Sequence, residues 1–206
     1  MSNLKIAIQK KGHLRDDSLV FLSSLGIECQ QKNDELITLC PNTNIEIIFL
    51  RDDDIPNYIN NNLIDFGIIG NDVIEENSNI TKIVRKLGFS KCSLVMASPI
   101  NSRIKKVNDL QGKKIATSYP NILNKFLNDN NITSTIIEVS GSVEVAPKLN
   151  LADAVCDLTQ TGKTLKQCQL TQFKTIFESE AVLVESPSSK PEKQKFINLL
   201  KQYENC

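Results

Sequence analysis

The run DAVCDLTQTGKTL at residues 153–165 joins two kinds of chemistry in one short span. Asp153 and Asp157 stand four residues apart among Ala154, Val155, Cys156 and Leu158. If this half is a strand, both carboxylates point to the same side, because strand side chains alternate with a period of two. The second half places Thr159, Thr161 and Thr164 around Gly162 and Lys163. A glycine among hydroxyl residues, where a strand turns into a helix, makes an anion nest: backbone N–H groups converge, hydroxyls add donors, and the helix start adds partial positive charge. Gly162 lets the backbone approach a bound group closely. The spacing G-x-x-x-x-G-K-[ST] is absent, so this is not a Walker loop. A plain turn capped by threonine, and a solvated acidic strand face, would use the same residues. The ligand that uses both halves is a phosphorylated ribose, its 5-phosphate in the nest and its 2- and 3-hydroxyls, or a Mg²⁺ beside them, at the two acids.

Such a loop needs a strand and a helix to hold it. Short β-branched runs predict strands at 4–8, 45–50, 66–70, 92–97, 113–117, 134–139, 152–158 and 181–185. Helical spacing links Leu14, Leu19, Leu22 and Leu25, with Gly26 as a stop. Ile122, Leu123, Phe126 and Leu127 form a second such face, and Phe196, Leu199, Leu200 and Tyr203 a third after Pro191. Strands alternating with helices predict an α/β chain with a largely parallel sheet covered on both faces. The stretch 87–99 is a hinge candidate, and a second crossing near 160–180 would return the chain. Two α/β lobes joined by two crossings then enclose a cleft. The expected division is 1–90 plus about 170–206 for lobe I and about 91–169 for lobe II.

Bulk properties narrow the function. Twenty-four basic and 24 acidic residues leave a formal charge of zero among 206 residues, which argues against a general nucleic-acid or membrane-surface binder. No apolar run reaches the roughly 18 residues of a membrane span. The N-terminal apolar stretch is too short for a signal peptide and reads as a first strand. The six cysteines include no C-x-x-C pair and His13 is the only histidine, so a Cys/His zinc site is not expected. Reduced thiols packed as small hydrophobes in a cytoplasmic protein fit that pattern.

LADAVCDLTQTGKTL (151–165) resembles the phosphoribosyl-pyrophosphate loop of the ATP phosphoribosyltransferase family. IAIQKKGHL (6–14), RDDDIPNYI (51–59), DFGIIGNDVIEE (65–76), KKIATSYPN (113–121) and GSVEVAPKLNLADA (141–154) agree in order, so the resemblance runs from about residue 4 to 185. It implies the two-lobe fold of type II periplasmic binding proteins with a cleft between the lobes. It implies transfer of the phosphoribosyl group of phosphoribosyl pyrophosphate to N1 of ATP with release of pyrophosphate, the first step of histidine biosynthesis. Mg²⁺ is expected with the substrate pyrophosphate. The chain stops at Cys206. It therefore looks like the short form, which lacks a C-terminal histidine-sensing domain, although QKKGHL and RDDDIP also resemble long-form spellings. A homodimer is implied, within a hetero-oligomer containing a histidyl-tRNA-synthetase-like regulatory subunit.

Carried onto this chain, the resemblance assigns the 5-phosphate to Thr161, Gly162, Lys163 and Thr164, with Thr159 in the same loop, and the ribose hydroxyls to Asp153 and Asp157. Lys10, Lys11 and His13 follow the first strand and are the catalytic candidates for polyphosphate charge. Gly70, Asp72, Thr117, Tyr119 and Glu144 are candidates for the nucleotide. A helix cap is equally open for Asp72 and Glu144, and packing against Pro120 for Tyr119. Arg51, Asp52 and Asp53 read as a structural ion pair and cap. Two departures stand out: the family's opening G-R-L is here Gly12-His13-Leu14, and Glu35 stands where an arginine often precedes a Leu-Ile pair. A neutral imidazole and a carboxylate cannot replace two fixed cations, so a weakened or inactive binding subunit is the alternative reading.

Overall fold

The computed structural model describes residues 3–31, 35–77 and 82–203. The chain divides into two compact units, Met1–Ile74, Ser78–Ser90 and Glu180–Cys206 in one, Glu75–Asn77 and Lys91–Ser179 in the other. The return expected near residue 170 falls instead at Glu180, because 170–179 pairs as a strand within the second unit.

The first unit holds a six-stranded sheet in the order β2-β3-β1-β4-β11-β5. Its strands are β1 (Leu4–Gln9), β2 (Ile37–Leu39), β3 (Ile45–Leu50), β4 (Phe66–Gly70), β5 (Lys82–Lys86) and β11 (Ala181–Glu185). The middle strands β3, β1 and β4 are parallel, while β2 and β11 run antiparallel to their neighbours. β1 is buried on both faces and therefore reads as a nearly continuous apolar run. Leu4, Ile6 and Ile8 face a core with Leu22 of helix α1 (His13–Ser24), Phe66, and Phe196 and Leu200 of helix α6 (Pro191–Tyr203). Ala7 faces the opposite core with Ile55 and Ile59 of helix α2 (Ile55–Asn60), Ile69 and Val184. Each such Ile or Leu, fully buried, contributes about 1.5–3 kcal/mol over exposure.

The second unit holds a five-stranded sheet in the order β10-β6-β9-β7-β8. Its strands are β6 (Cys92–Pro99), β7 (Lys114–Thr117), β8 (Thr135–Glu138), β9 (Ala154–Thr159) and β10 (Leu170–Ser179). Here β9, β7 and β8 are parallel, and β6 and β10 are antiparallel. Ile115, Cys156, Leu94 and Met96 pack with Leu123 and Leu127 of helix α4 (Pro120–Asp129). Ala116, Val155 and Val95 face the other core with Leu165 of helix α5 (Lys163–Gln167). Both sheets are thus mixed, where a largely parallel one was expected. The antiparallel pairings are those of edge strand β2 with β3 and those made by β11 and β6, the strands next to the crossings between units.

Register decides where the ligand-bearing loops lie. In the second sheet Thr159, at the carboxyl end of β9, is opposite Ser93, and Cys92 is opposite Ser179. The loop after β9 therefore sits at the edge where the chain enters and leaves this unit. In the first sheet Gly70, at the carboxyl end of β4, pairs with Ala181, so that edge too carries the crossing. Carboxyl ends of parallel strands are where open α/β sheets bind ligands.

Candidate active site

The loop after β9 is shaped by its own hydroxyls. Thr159 Oγ1 accepts the Gly162 N–H at 2.8 Å, and Thr161 Oγ1 accepts the Lys163 N–H at 3.4 Å. Gly162 has φ +70°, the left-handed region that favours glycine. α5 starts immediately after it and is anchored by buried Leu165. The Lys166 N–H reaches Gly162 O at 3.1 Å. The first-turn amides of Lys163, Thr164 and Leu165 have no carbonyl partner inside the helix. The side chains of Thr161, Lys163 and Thr164 are exposed, while Thr159 and Gly162 are half-buried. Thr159 thus sets the curvature, and the other residues present donors outward.

The two aspartates part company. Asp153 lies just before β9, at its amino end. Its Oδ2 accepts the Lys114 N–H at 2.8 Å, and its own N–H donates to Lys114 O at 2.8 Å. It is a clamp between the starts of β7 and β9. Four residues of strand rise separate it from Asp157 by about 13 Å, too far for adjacent ribose hydroxyls. The shared grip expected of the pair is corrected on that ground: a common strand face is not a common end.

Asp157 stays with the loop. It is half-buried, Oδ1 accepts the Leu158 N–H at 2.8 Å, and the carboxyl is pushed up to about 6. Burial is the main cause, and the nearby Glu144 carboxylate adds to it. Glu144 sits in a short 3-10 turn, Val143–Val145, entered through Ser142 at φ +52°. An acid pair of this kind accepts hydroxyl or N–H donors well, and a donor ligand relieves the cost of its burial.

The first unit's edge is built differently. Lys10 continues β1 by donating its N–H to Leu50 O at 2.7 Å, Lys11 is exposed, and exposed His13 opens α1. Gly12, at φ +98°, makes that turn. Two residues missed from the sequence join them. Gln9 Nε2 donates to Asp52 Oδ2 at 3.2 Å. Asp52 is raised above the usual carboxylate range by burial, then by Asp53 and Asp72. Arg51 and Asp53 form an exposed 3.8 Å pair, as read from the sequence, but Asp52 belongs to the strand-end cluster. The triplet of acids was the available signal. Asp72 is buried in the first turn of helix α3 (Asn71–Asn77). Its Oδ1 lies where a Cβ on Gly70 would be 2.3 Å away. Any side chain at Gly70 would therefore have to displace the Asp72 carboxylate.

One nucleotide candidate is corrected by burial, and a second is half-buried. Thr117 is fully buried, its Oγ1 accepting the Tyr119 N–H at 2.9 Å and hydrogen-bonded to the Cys156 thiol. Tyr119 packs against the core beside α4. The N-terminus of α4 is already occupied: Glu76 accepts the Asn121 N–H at 2.8 Å and the Ile122 N–H at 3.0 Å. Glu35 is exposed and its carbonyl accepts from Gln31. Among the described residues no group of three His, Cys, Asp or Glu could hold a metal ion.

The fold defines an α/β protein of the periplasmic-binding-protein type, with a glycine–threonine loop at the carboxyl end of β9. An alkanesulfonate-binding protein from Xanthomonas axonopodis pv. citri, solved with MOPS, has a TM-score of 0.59 at 16% identity, and its likeness concerns the fold alone. The family model for ATP phosphoribosyltransferase matches residues 51–204. The chain belongs to the ATP phosphoribosyltransferase family. It is 42% identical over 197 residues to the enzyme of that name from Cytophaga hutchinsonii, covering 96% of this chain and 69% of that one. The Parabacteroides distasonis protein is 38% identical, with 96% and 70% covered. An ATP phosphoribosyltransferase chain solved in a HisG:HisZ complex from Thermotoga maritima has a TM-score of 0.81 at 27% identity, with 98% of this chain and 97% of that chain covered.

Proposed function

We propose that this chain is an ATP phosphoribosyltransferase, a pentosyltransferase that moves the phosphoribosyl group of phosphoribosyl pyrophosphate to N1 of ATP in the first step of histidine biosynthesis. Family membership supports this. The carrying observation is the loop at the carboxyl end of β9, with Gly162 in the left-handed region and Thr159 Oγ1 fixing its N–H. In the proposal the first-turn amides of α5 and the hydroxyls of Thr161 and Thr164 hold the 5-phosphate, with Lys163 adding charge. Asp157 and Glu144 accept from the ribose hydroxyls. The bond from C1 to pyrophosphate breaks as adenine N1 bonds to C1, through an oxocarbenium-like state. Lys10 and Lys11 neutralise polyphosphate, Mg²⁺ when bound would supply further charge neutralisation, and catalysis is mostly positioning and electrostatics.

The proposed setting is cytoplasmic, and the proposed assembly is a homodimer joined by a histidyl-tRNA-synthetase-like regulatory subunit. The Thermotoga maritima relative, solved as a HisG:HisZ complex, supports the second part. Edge strand β2 supports the first: Ile37 and Leu39 are exposed while Thr38 is buried, the reverse of an edge facing water. Light scattering on the purified chain tests the dimer. A coupled pyrophosphate-release assay tests the activity. ATP and phosphoribosyl pyrophosphate should disappear together, and tight binding of both without turnover would refute the enzyme.

A further inference from the structure

Cys29 and Cys40 stand apart from the substrate edge. Cys40 is fully buried, following β2, and Cys29 is half-buried, beyond the end of α1. Cys40 belongs to the core cluster of the first unit against which Cys29 packs, and the two thiols interact there. The backbone holds the two segments together: Asn42 Nδ2 donates to Gly26 O at 2.6 Å, and Asn42 Oδ1 accepts the Glu28 N–H at 3.4 Å. Cys40 is itself fixed by its N–H to Ile45 O at 2.9 Å.

We propose that Cys29 and Cys40 form a reversible dithiol–disulfide switch that staples edge strand β2 to the segment following α1. The two sulfurs have unequal roles. Cys29 is held below the ordinary thiol range by the hydrogen bond from Cys40, with the Arg15 guanidinium adding to it. Cys40 is pushed up by that same bond and by burial. Cys29, the half-buried thiol that an oxidant can reach, is therefore the attacking thiolate, and fully buried Cys40 the resolving thiol. The oxidant is a low-molecular-weight disulfide such as glutathione disulfide. Cys29 sulfur bonds to one glutathione sulfur and expels the other as thiolate. Cys40 then loses its proton, attacks the Cys29 sulfur and expels the second glutathione. Two protein thiols lose two electrons and two protons, and one glutathione disulfide becomes two glutathiones.

The staple closes a loop of about a dozen residues around β2, removing freedom from the unfolded chain and suppressing local opening of that strand. The test is to treat the reduced chain with glutathione disulfide and map the product by mass spectrometry. The expected product links Cys29 to Cys40 with two hydrogens lost and no glutathione retained. It should melt about 5 °C higher, show at least fivefold slower amide exchange across 37–40, and revert with dithiothreitol. Cys29→Ser, at the half-exposed position, should fold normally and show neither the link nor the shift. A glutathione adduct that persists on Cys29, a link through Cys92 or Cys168 instead, or a Cys29–Cys40 link with unchanged melting and exchange would overturn the proposal.

Discussion

The two carboxyl edges of this chain solve opposite electrostatic problems. The second unit's edge is built from amides, hydroxyls and one left-handed glycine, with the acid pair Asp157 and Glu144 beside them. The first unit's edge combines lysines at 10 and 11 with partly desolvated Asp52 and buried Asp72. One edge presents amides and hydroxyls held by the loop's own hydrogen bonds. The other places lysines near acids that pay for desolvation. The difference teaches that the proposed phosphate loop is shaped by its own side chains, whereas the first edge carries charges that a ligand would have to balance.

The sharpest way to break the comparison is to neutralise Asp157. Asp157→Asn should lower kcat/KM about 100-fold, while the ligand-free fold gains about 1–3 kcal/mol because a desolvated charge is removed. Asp153→Ala is the control: steady-state kinetics should stay within about twofold, with about 1 kcal/mol lost in thermal unfolding from the clamp on Lys114. A stable but inactive Asp153 variant would restore the two-acid grip rejected here.

Next in size, Thr161→Ala with Thr164→Ala should raise KM for phosphoribosyl pyrophosphate about tenfold, or 1.4 kcal/mol, without changing melting. An unchanged KM would remove the nest from the site. The pH dependence follows from the raised carboxyl of Asp157, at about 6. The folded chain binds that proton more tightly than the unfolded one. This group's contribution to stability is therefore present below about pH 4 and is lost as pH rises through 4 to 6, by about 3 kcal/mol. Activity should run the other way, with kcat/KM falling below about pH 6 because the ionised acceptor is protonated. A pH–rate profile beside an unfolding series checks both signs.

Glu76→Ala should cost about 1–2 kcal/mol in denaturant unfolding, since it strips both acceptors from the start of α4. The smallest effect is expected at His13. His13→Arg should keep kcat within about threefold, because exposed His13 opens α1 with room for a longer side chain. A large loss would give the imidazole a role of its own.

The strands legible in the sequence are mostly those with neighbours on both sides. β1, β3, β4, β6, β7, β9 and β11 all carry dense apolar runs because both faces are buried. β8 is an edge strand whose TIIE kept enough β-branched character to be seen. β2, β5 and β10 were missed, and all three are edges. KIVRK and LTQFKTIFES dilute their apolar residues with charge and amide because one side meets solvent. The short α2 and α3 carry too few turns to show a period. At the site, the loop was readable because Gly162 and its threonines are contiguous. Asp52 was not, since its surroundings include the Gln9 amide and the Asp72 charge, both distant in sequence.

By itself the sequence determined the family, the two-sided apolar strands and the glycine–threonine turn at 159–164, all of which are local patterns of side-chain type and spacing. Only the tertiary structure decided which of two identical acids belongs to the site. Alternation along a strand reports the face a residue takes, but strand length and sheet register decide which end it occupies. The end, not the face, puts Asp157 beside the loop and Asp153 at the opposite edge.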